Sequence, residues 1–337
     1  MSRRKRILYL YIFDSSFIDS DLSLLRKHYD VRAIAFGPAK KNKLKLPGLV
    51  LKLFAGVIWC DATFSWFADA HAYAAVKLSK LLRRKSIVVV GGYEVAKVPE
   101  IHYGKAYDPK GAKRVGYILR KADRVLMVDD SLRGDAKTNY GIEGENIVVV
   151  PTGQDHSKFI PAGQKDNSVL TVGYVGFRGA EDPRRKGLGI FLETARIMPE
   201  TEFTIVGVAS EEMLVDLVGT IPANAKLVKP VSHDQLVQYY QRAKVYCQLS
   251  IHEGLPTSVC EAMLCECIPV GTRRYGVATA IGDAGFLLDN PSPKDVADAI
   301  KKAFKCKSGE KARQRMINGF SMEAREKNLT GIIESLI

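Results

Sequence analysis

One short segment, HEGLPTSVCEAM at residues 252–263, carries the side chains best suited to chemistry. Glu253 and Glu261 stand eight positions apart in it. A carboxylate binds vicinal hydroxyls well because each oxygen accepts a charge-assisted hydrogen bond. One glutamate therefore suits a sugar and the other a ribose. The simpler interpretation is an acid that caps a helix and a second acid on the helix surface.

The residues between the two glutamates predict an anion site. Gly254 permits a tight turn, and Pro256 is preset for the first turn of a helix. Backbone N–H groups at the start of that helix would point at a diphosphate. Ser250, just before the turn, is expected to line the same pocket. The residues predicted to bind the donor are thus Gly254, Leu255, Pro256, Thr257, Ser258, Glu261 and Ser250.

Short β-branched runs alternate with amphipathic stretches along the whole chain, which predicts parallel sheets built from βαβ units. The predicted strands are 6–13, 30–35, 57–60, 86–90, 124–128 and 146–150, then 171–175, 203–206, 225–227, 245–249, 268–270 and 285–287. The predicted helices are 20–28, 68–82, 111–121, 130–140, 187–198, 210–218, 232–243, 257–264 and 293–305. Two doubly wound sheets follow, with a linker near residues 151–165 and a ligand site at the carboxyl ends of the strands.

The charge of the chain is unevenly distributed. Residues 1–150 hold 27 basic against 15 acidic residues, whereas residues 151–337 hold 23 against 22. A basic half attracts an anionic partner such as a phospholipid surface, although solvated loops explain it equally well. No apolar run reaches the roughly 20 residues of a membrane-spanning helix, and no cleavable leader is evident. We therefore expect a cytoplasmic protein, peripheral at the inner face of the membrane if the basic half binds lipid.

Five stretches resemble the retaining glycosyltransferases of family 4, also called glycosyl transferases group 1. They are the two-glutamate segment, the linker V-P-T-G-Q-D at 150–155, the V-G-F-R and K-G pieces at 175–178 and 186–187, C-I-P-V at 267–270, and F-S-M-E at 320–323. The resemblance implies the GT-B fold, an α/β arrangement of two tandem Rossmann-like domains facing a cleft. It implies an acceptor-side domain over 1–151, completed by a helix over 318–337 that crosses back, and a donor-binding domain over 152–317.

By the same resemblance, Arg178 and Lys186 hold the donor diphosphate and stabilise it as a leaving group, with Glu253 as the third catalytic residue. The spacing of the two cations is longer than is usual in the family, so Arg185 remains an alternative to Arg178. Val231 falls where the family binds the base. No metal is expected, since neither Asp19 with Asp21 nor the paired cysteines at 265 and 267 make a convincing site.

The acceptor side departs from the family pattern. The usual Gly-Gly loop after the first strand is replaced, and the usual histidine after the fourth strand is absent. Glu94 is a candidate for an acidic or hydrogen-bonding role, against the alternative of a simple turn. The residues predicted on the acceptor side are Asp14, Ser15, Ser16, Gly91, Gly92, Tyr93 and Glu94.

These observations predict a metal-independent retaining hexosyltransferase. Its donor would be a UDP- or GDP-linked sugar, used as a co-substrate without a cofactor, and its acceptor a sugar, a polyol or a lipid-linked molecule, with an anionic or lipid-linked acceptor favoured. A nucleotide-sugar epimerase of the same architecture and a non-catalytic sugar-nucleotide-binding protein are the alternatives. Nucleic acid is not expected as a partner, because no aromatic-rich ribonucleoprotein motif or zinc finger is present.

Overall fold

The chain divides into two compact units. The computed structural model describes residues 3–37, 46–176 and 182–337. The first unit comprises Met1–Gly153 and Met322–Ile337, and the second comprises Gln154–Ser321. The boundaries predicted after residues 151 and 317 differ from these by two and four residues. Each unit is a six-stranded parallel sheet flanked by helices, so the predicted α/β class with two Rossmann-like domains is confirmed.

The elements of the first unit alternate in chain order. Its strands are β1 Arg6–Tyr11, β2 Asp30–Ala35, β3 Ala62–Trp66, β4 Lys85–Val90, β5 Arg124–Met127 and β6 Ile147–Val149. Its helices are α1 Ser16–His28, α2 Leu46–Trp59, α3 Ala70–Leu81, α4 Pro109–Lys121, α5 Ser131–Tyr140 and the C-terminal α13 Met322–Glu334.

The second unit repeats this alternation. Its strands are β7 Asp166–Val175, β8 Phe203–Val208, β9 Ala225–Val228, β10 Ala243–Gln248, β11 Ile268–Thr272 and β12 Phe286–Leu288. Its helices are α6 Leu188–Ile197, α7 Glu212–Val218, α8 His233–Arg242, α9 Thr257–Leu264, α10 Tyr275–Ile281, α11 Pro293–Lys305 and α12 Glu310–Gly319.

The order of the strands identifies where ligands bind in each sheet. The first sheet runs β2-β1-β3-β4-β5-β6 and the second β12-β11-β10-β7-β8-β9. In the second sheet the winding reverses between β7 and β10, and in the first it reverses between β1 and β3. Ligands of such sheets bind at the carboxyl ends of the strands beside this switch point. In the second unit, a ligand is therefore expected at the loops that follow β7 and β10.

The prediction of a strand over residues 57–60 is wrong, because these residues form the last turn of α2 and its end. Leu53, Val57 and Cys60 are buried in one apolar cluster, at helical spacing. The local run of Val57, Ile58 and Trp59 has high β propensity, but packing against the sheet outweighs propensity. The strand that was expected there is β3, which starts at Ala62. Helices α2, α10 and α12 were not predicted.

A buried ion pair fixes the C-terminal helix α13 within the first unit. Arg325 is fully buried and donates to both carboxylate oxygens of Asp21, from Nε at 3.0 Å and from Nη2 at 2.7 Å. Its Nη1 donates to the carbonyl of Val150 at 2.6 Å, and Trp66 Nε1 donates to Asp21 at 3.0 Å. Asp21, one of the two aspartates with D-x-D spacing, therefore binds side chains of α13 and β3.

Candidate active site

Glu253 lies in the loop that joins β10 to α9, at the switch point of the second sheet. Ser250 anchors the start of this loop, because its carbonyl accepts a hydrogen bond from Thr272 Oγ1 at 2.7 Å. The start of α10 approaches the loop so closely that a Cβ at Gly276 would lie 1.4 Å from the carbonyl oxygen of Gly254. Only glycine fits there, so the sequence builds a rigid support for Glu253.

The loop at 182–187, which precedes α6, packs on the same strand end. The amide of Ile251 donates to the carbonyl of Arg185 at 2.8 Å. Gly187 has a left-handed φ of 68°, and a Cβ there would lie 2.2 Å from the carbonyl oxygen of Leu249. These two contacts place the preceding residues, Arg185 and Lys186, beside Glu253.

Three donors converge on one oxygen of Glu253. Its Oε1 accepts from Lys186 Nζ at 2.7 Å, from Arg185 Nη1 at 3.0 Å and from Ser250 Oγ at 3.1 Å. The Glu253 side chain is 13% exposed and that of Lys186 16%. Burial by itself raises the pKa of Glu253, but the charges of Lys186 and Arg185 outweigh it and lower the pKa to about 2. Glu253 is thus a carboxylate at any physiological pH, and it holds two cations in place.

A run of buried polar side chains extends from Glu253 back along β10. Gln248 Nε2 donates to Ser250 Oγ at 2.7 Å, and Gln248 Oε1 accepts from Tyr246 at 3.2 Å and from Ser258 at 3.2 Å. The sequence analysis missed Tyr246 and Gln248. Tyr246, Gln248 and Ser250 follow one another at intervals of two residues, and this spacing could have identified them, because residues at i, i+2 and i+4 of an extended segment share one face.

Glu261 lies inside α9 and is held by a different element. Its Oε1 is 2.8 Å from His233 Nε2, and its Oε2 accepts from Tyr240 Oη at 3.0 Å. The bond to Glu261 raises the pKa of His233. Burial raises the pKa of Tyr246, and the negative charges of Glu261 and Glu253 add to this. The rings of Tyr240 and Tyr246 pack edge to face with their centroids 5.9 Å apart, so the side chains that bind Glu261 adjoin the buried polar run that leads to Glu253.

His233 and Tyr240 are functional candidates that the sequence analysis also missed. Both belong to α8, and His233 comes two residues after Val231, which was predicted near the base. Ser232, which lies between Val231 and His233 in the sequence, caps α8, because its side chain accepts a hydrogen bond from the amide of Gln235. The other predicted donor residues follow Glu253 directly: Gly254, Leu255 and Pro256 complete the turn, and Thr257 and Ser258 begin α9. Arg178 lies outside the described residues.

In the first unit, the predicted acceptor residues lie after β1 and β4. Asp14, Ser15 and Ser16 lead into α1, with Ser15 at its N-cap. Tyr93 is 42% exposed. Glu94, in contrast, is 3% exposed, and its carboxylate accepts from the backbone amides of Ala68, Gly91 and Gly92 at 3.2, 3.2 and 3.0 Å. Glu94 thus ties the loop after β4 to the loop after β3.

Among the described residues, no three His, Cys, Asp or Glu side chains cluster as metal ligands would. The same part of the chain contains no helix that combines the length and the apolarity needed to cross a bilayer.

Solved structures of other proteins share this fold. Sucrose-phosphate synthase from Thermosynechococcus elongatus superposes with a TM-score of 0.78 at 15% identity, covering 99% of both chains. Anabaena HepE, solved with UDP and glucose, gives a TM-score of 0.74 at 16% identity, covering 99% of this chain and 100% of that one. These two units therefore form a glycosyltransferase fold of the GT-B class.

The sequence match identifies the family of the second unit. Residues 164–320 match the family described as glycosyl transferases group 1. The D-inositol 3-phosphate glycosyltransferase of Kineococcus radiotolerans is 24% identical over 312 residues, covering 80% of this chain and 72% of that protein. The second unit is thus a domain of the glycosyl transferases group 1 family, which confirms the resemblance seen in the sequence.

Proposed function

We propose that the chain transfers a hexose from a UDP- or GDP-linked sugar to an anionic or lipid-linked acceptor, with retention and without a metal. The observation that carries this proposal is the convergence of Lys186 and Arg185 on Glu253 at the switch point of the second sheet. All three side chains are largely buried there. A diphosphate beside these cations would find fixed positive charge in a site of low dielectric.

The proposed step needs no protein nucleophile. The bond between the anomeric carbon and the diphosphate oxygen breaks, and the acceptor oxygen bonds to that carbon on the same face. The acceptor proton passes to the leaving phosphate oxygen, so the products are the glycoside and the nucleoside diphosphate. Lys186 and Arg185 would stabilise the charge that develops on the diphosphate, in the role that a divalent metal plays elsewhere. Arg178 would join them.

Glu253 and Glu261 would divide the recognition of the donor. The donors to Glu253 within the described part of the chain all bind Oε1, which leaves Oε2 to accept from sugar hydroxyls. Glu261 would accept from the ribose hydroxyls in exchange for His233, whose side chain is 34% exposed. Val231 would lie near the base, since it directly precedes α8.

The acceptor would approach residues of the first unit. Asp14, Ser15 and Ser16, together with the backbone of Gly91 and Gly92 and the exposed ring of Tyr93, are the proposed contacts. Glu94 would act on the acceptor only by shaping this loop. The Kineococcus relative is named for a phosphorylated inositol acceptor, and this supports an anionic polyol or its lipid-linked form. A lipid-linked acceptor would require the protein to work at a membrane surface.

The test is turnover of a panel of UDP- and GDP-sugars, with and without chelator, for the wild type, Lys186→Met and Lys301→Met. Lys301 is the matched control, because it is 61% exposed and distant in sequence from the site. We expect a chelator-resistant release of nucleoside diphosphate that Lys186→Met lowers by about 100-fold and Lys301→Met leaves unchanged. Strict dependence on a divalent metal would contradict the mechanism, and a product with inverted anomeric configuration would contradict retention.

Two further outcomes would replace the proposal. Conversion of the sugar nucleotide into its epimer, without release of the diphosphate, would identify an epimerase. A rise in melting temperature with UDP or GDP but no turnover of any sugar nucleotide would identify a binding protein, since a ligand that binds only the folded state stabilises it.

A further inference from the structure

Helix α2 carries an apolar face that points away from the core. Val50, Leu51, Phe54 and Ile58 are 53, 70, 44 and 48% exposed. They recur at spacings of three and four, so they form one stripe along the helix. Leu81, at the end of the neighbouring α3, is 75% exposed. Single exposed apolar residues are ordinary, but a contiguous group of them indicates an interaction surface.

The opposite face of the same helix is already occupied. Leu53, Val57 and Cys60 pack into the core of the first unit with Leu8 and Leu10 of β1. A helix that is apolar on all sides is normally buried on all sides. Exposure of the outer stripe of α2 is therefore not a by-product of core packing, and it calls for a ligand that covers it.

Basic side chains surround the end of this stripe. Arg84 Nη2 donates to the carbonyl of Ile58 at 2.9 Å. Arg6 Nη1 donates to the carbonyl of Trp59 at 3.1 Å, and the guanidinium of Arg32 lies 4.0 Å from the centre of the Trp59 ring. Lys52 is an exposed residue of the helix itself. An apolar stripe with a basic flank matches a surface of acyl chains beneath anionic headgroups.

We propose that the outer stripe of α2 docks the protein on an anionic lipid surface. This surface deepens the proposed function and rests on it, since a lipid-linked acceptor would be met at such a surface. A second protein chain fits less well, because each partner in a stable interface contributes about 20–30 residues, whereas this stripe is four side chains and one neighbouring helix end. Repulsion between two copies of the same basic flank would also oppose a dimer.

Vesicle flotation of the full chain tests the stripe. The probes are phosphatidylcholine vesicles with and without phosphatidylglycerol, and the variant is Leu51→Ser with Phe54→Ser. The matched control is Ile197→Ser with Val215→Ser, two positions of the second unit that are 50 and 40% exposed. We expect salt-sensitive binding of the wild type to anionic vesicles only, a loss of at least about ten-fold in the α2 variant, and no change in the control.

The basic flank has its own variant, Lys52→Gln with Arg32→Gln. Each lost charge should weaken binding to anionic vesicles by about five-fold and reduce its salt dependence. Absence of wild-type flotation, or equal flotation of the α2 variant, would overturn the proposal. A dimer in solution that the α2 variant abolishes would overturn it as well.

The donor chemistry is measured separately, on sugar nucleotides in solution without vesicles. Turnover that depends on Lys186 together with no lipid binding would remove only the docking proposal. Lipid binding through α2 without any turnover would remove only the proposed function. The α2 variant is expected to release nucleoside diphosphate at the wild-type rate.

Discussion

Two buried glutamates follow central strands of the two sheets, and their surroundings differ. Glu253, after β10, is held by the side chains of Lys186 and Arg185. Glu94, after β4, is held by three backbone amides. Side-chain cations lower the pKa of Glu253 to about 2, whereas burial, which the three amides only partly offset, raises the pKa of Glu94.

This difference predicts different roles for the two carboxylates. Lys186 and Arg185 can exchange the Glu253 carboxylate for another anion. An incoming diphosphate would take the place of the carboxylate as their negatively charged partner. Backbone amides within a tight loop cannot be exchanged without unfolding that loop. We therefore expect changes at Glu253 to affect chemistry first, and changes at Glu94 to affect stability first.

The largest expected effect is that of Glu253→Gln on turnover. The amide keeps the size of the side chain but loses the charge that holds Lys186 and Arg185 and accepts from the sugar. The kcat/KM for release of nucleoside diphosphate, measured at varied concentrations of the sugar-nucleotide donor, should fall by about 100- to 1,000-fold. Glu94→Gln is the matched control and should keep the wild-type value within about three-fold. Equal losses in the two variants would remove the distinction.

The second expected effect concerns pH. The contributions of Glu253 and Glu94 to the free energy of unfolding should change with pH in opposite directions. A lowered carboxyl pKa contributes stability that is present above the unfolded value of 4.5 and is lost as pH falls towards about 2. For Glu253 this amounts to something of order 3 kcal/mol. The pKa of Glu94 is raised, so the folded state binds this proton more tightly than the unfolded state does, and the contribution of Glu94 to stability becomes less favourable as pH rises above 4.5.

Denaturant unfolding of the wild type and of each Gln variant across the acid range measures both contributions. The free-energy difference between wild type and Glu253→Gln should shrink on acidification. The difference between wild type and Glu94→Gln should change in the other direction. Two curves of the same slope would show that the cations and the amides perturb the two carboxyls alike.

The sequence predicted some elements closely and missed others, for physical reasons. Helices α9 and α11 have the predicted bounds, because Pro256 and the capping box of Ser292 and Asp295 mark their starts. Helix α2 has apolar residues on both faces, so it lacks the period that identifies an amphipathic helix. Glu253 and Glu261 stand in one local segment, whereas the contact between Glu261 and His233 joins residues 28 positions apart. Only tertiary structure creates that contact.

The third effect concerns the stability of the Glu94 loop. In Glu94→Gln, the NH2 group of the amide faces backbone N–H donors, and at least one of these loses its acceptor. The free energy of unfolding should fall by about 1–3 kcal/mol, measured by chemical denaturation at neutral pH. Glu100→Gln, at an exposed position nearby, should change it by less than about 0.5 kcal/mol. A stable Glu94→Gln with impaired acceptor binding would instead assign Glu94 to the acceptor.

The smallest effect is that of His233→Ala on nucleotide binding. His233 occupies Oε1 of Glu261, where the proposed function places ribose hydroxyls, so its removal should tighten the binding of UDP. The pair of His233 and Glu261 is partly exposed and screened, which limits the change in affinity to less than about five-fold.

Because the pKa of His233 is raised above 6.5, wild-type His233 competes most with UDP at low pH, and its competition declines as pH rises through the raised value. Calorimetric titration of UDP at several pH values should show this dependence in the wild type and not in the variant. His28→Ala, which breaks a similar pair with Glu326 in the first unit, should leave the binding of UDP unchanged. Weaker binding in His233→Ala would show that His233 orients Glu261 rather than competing for it.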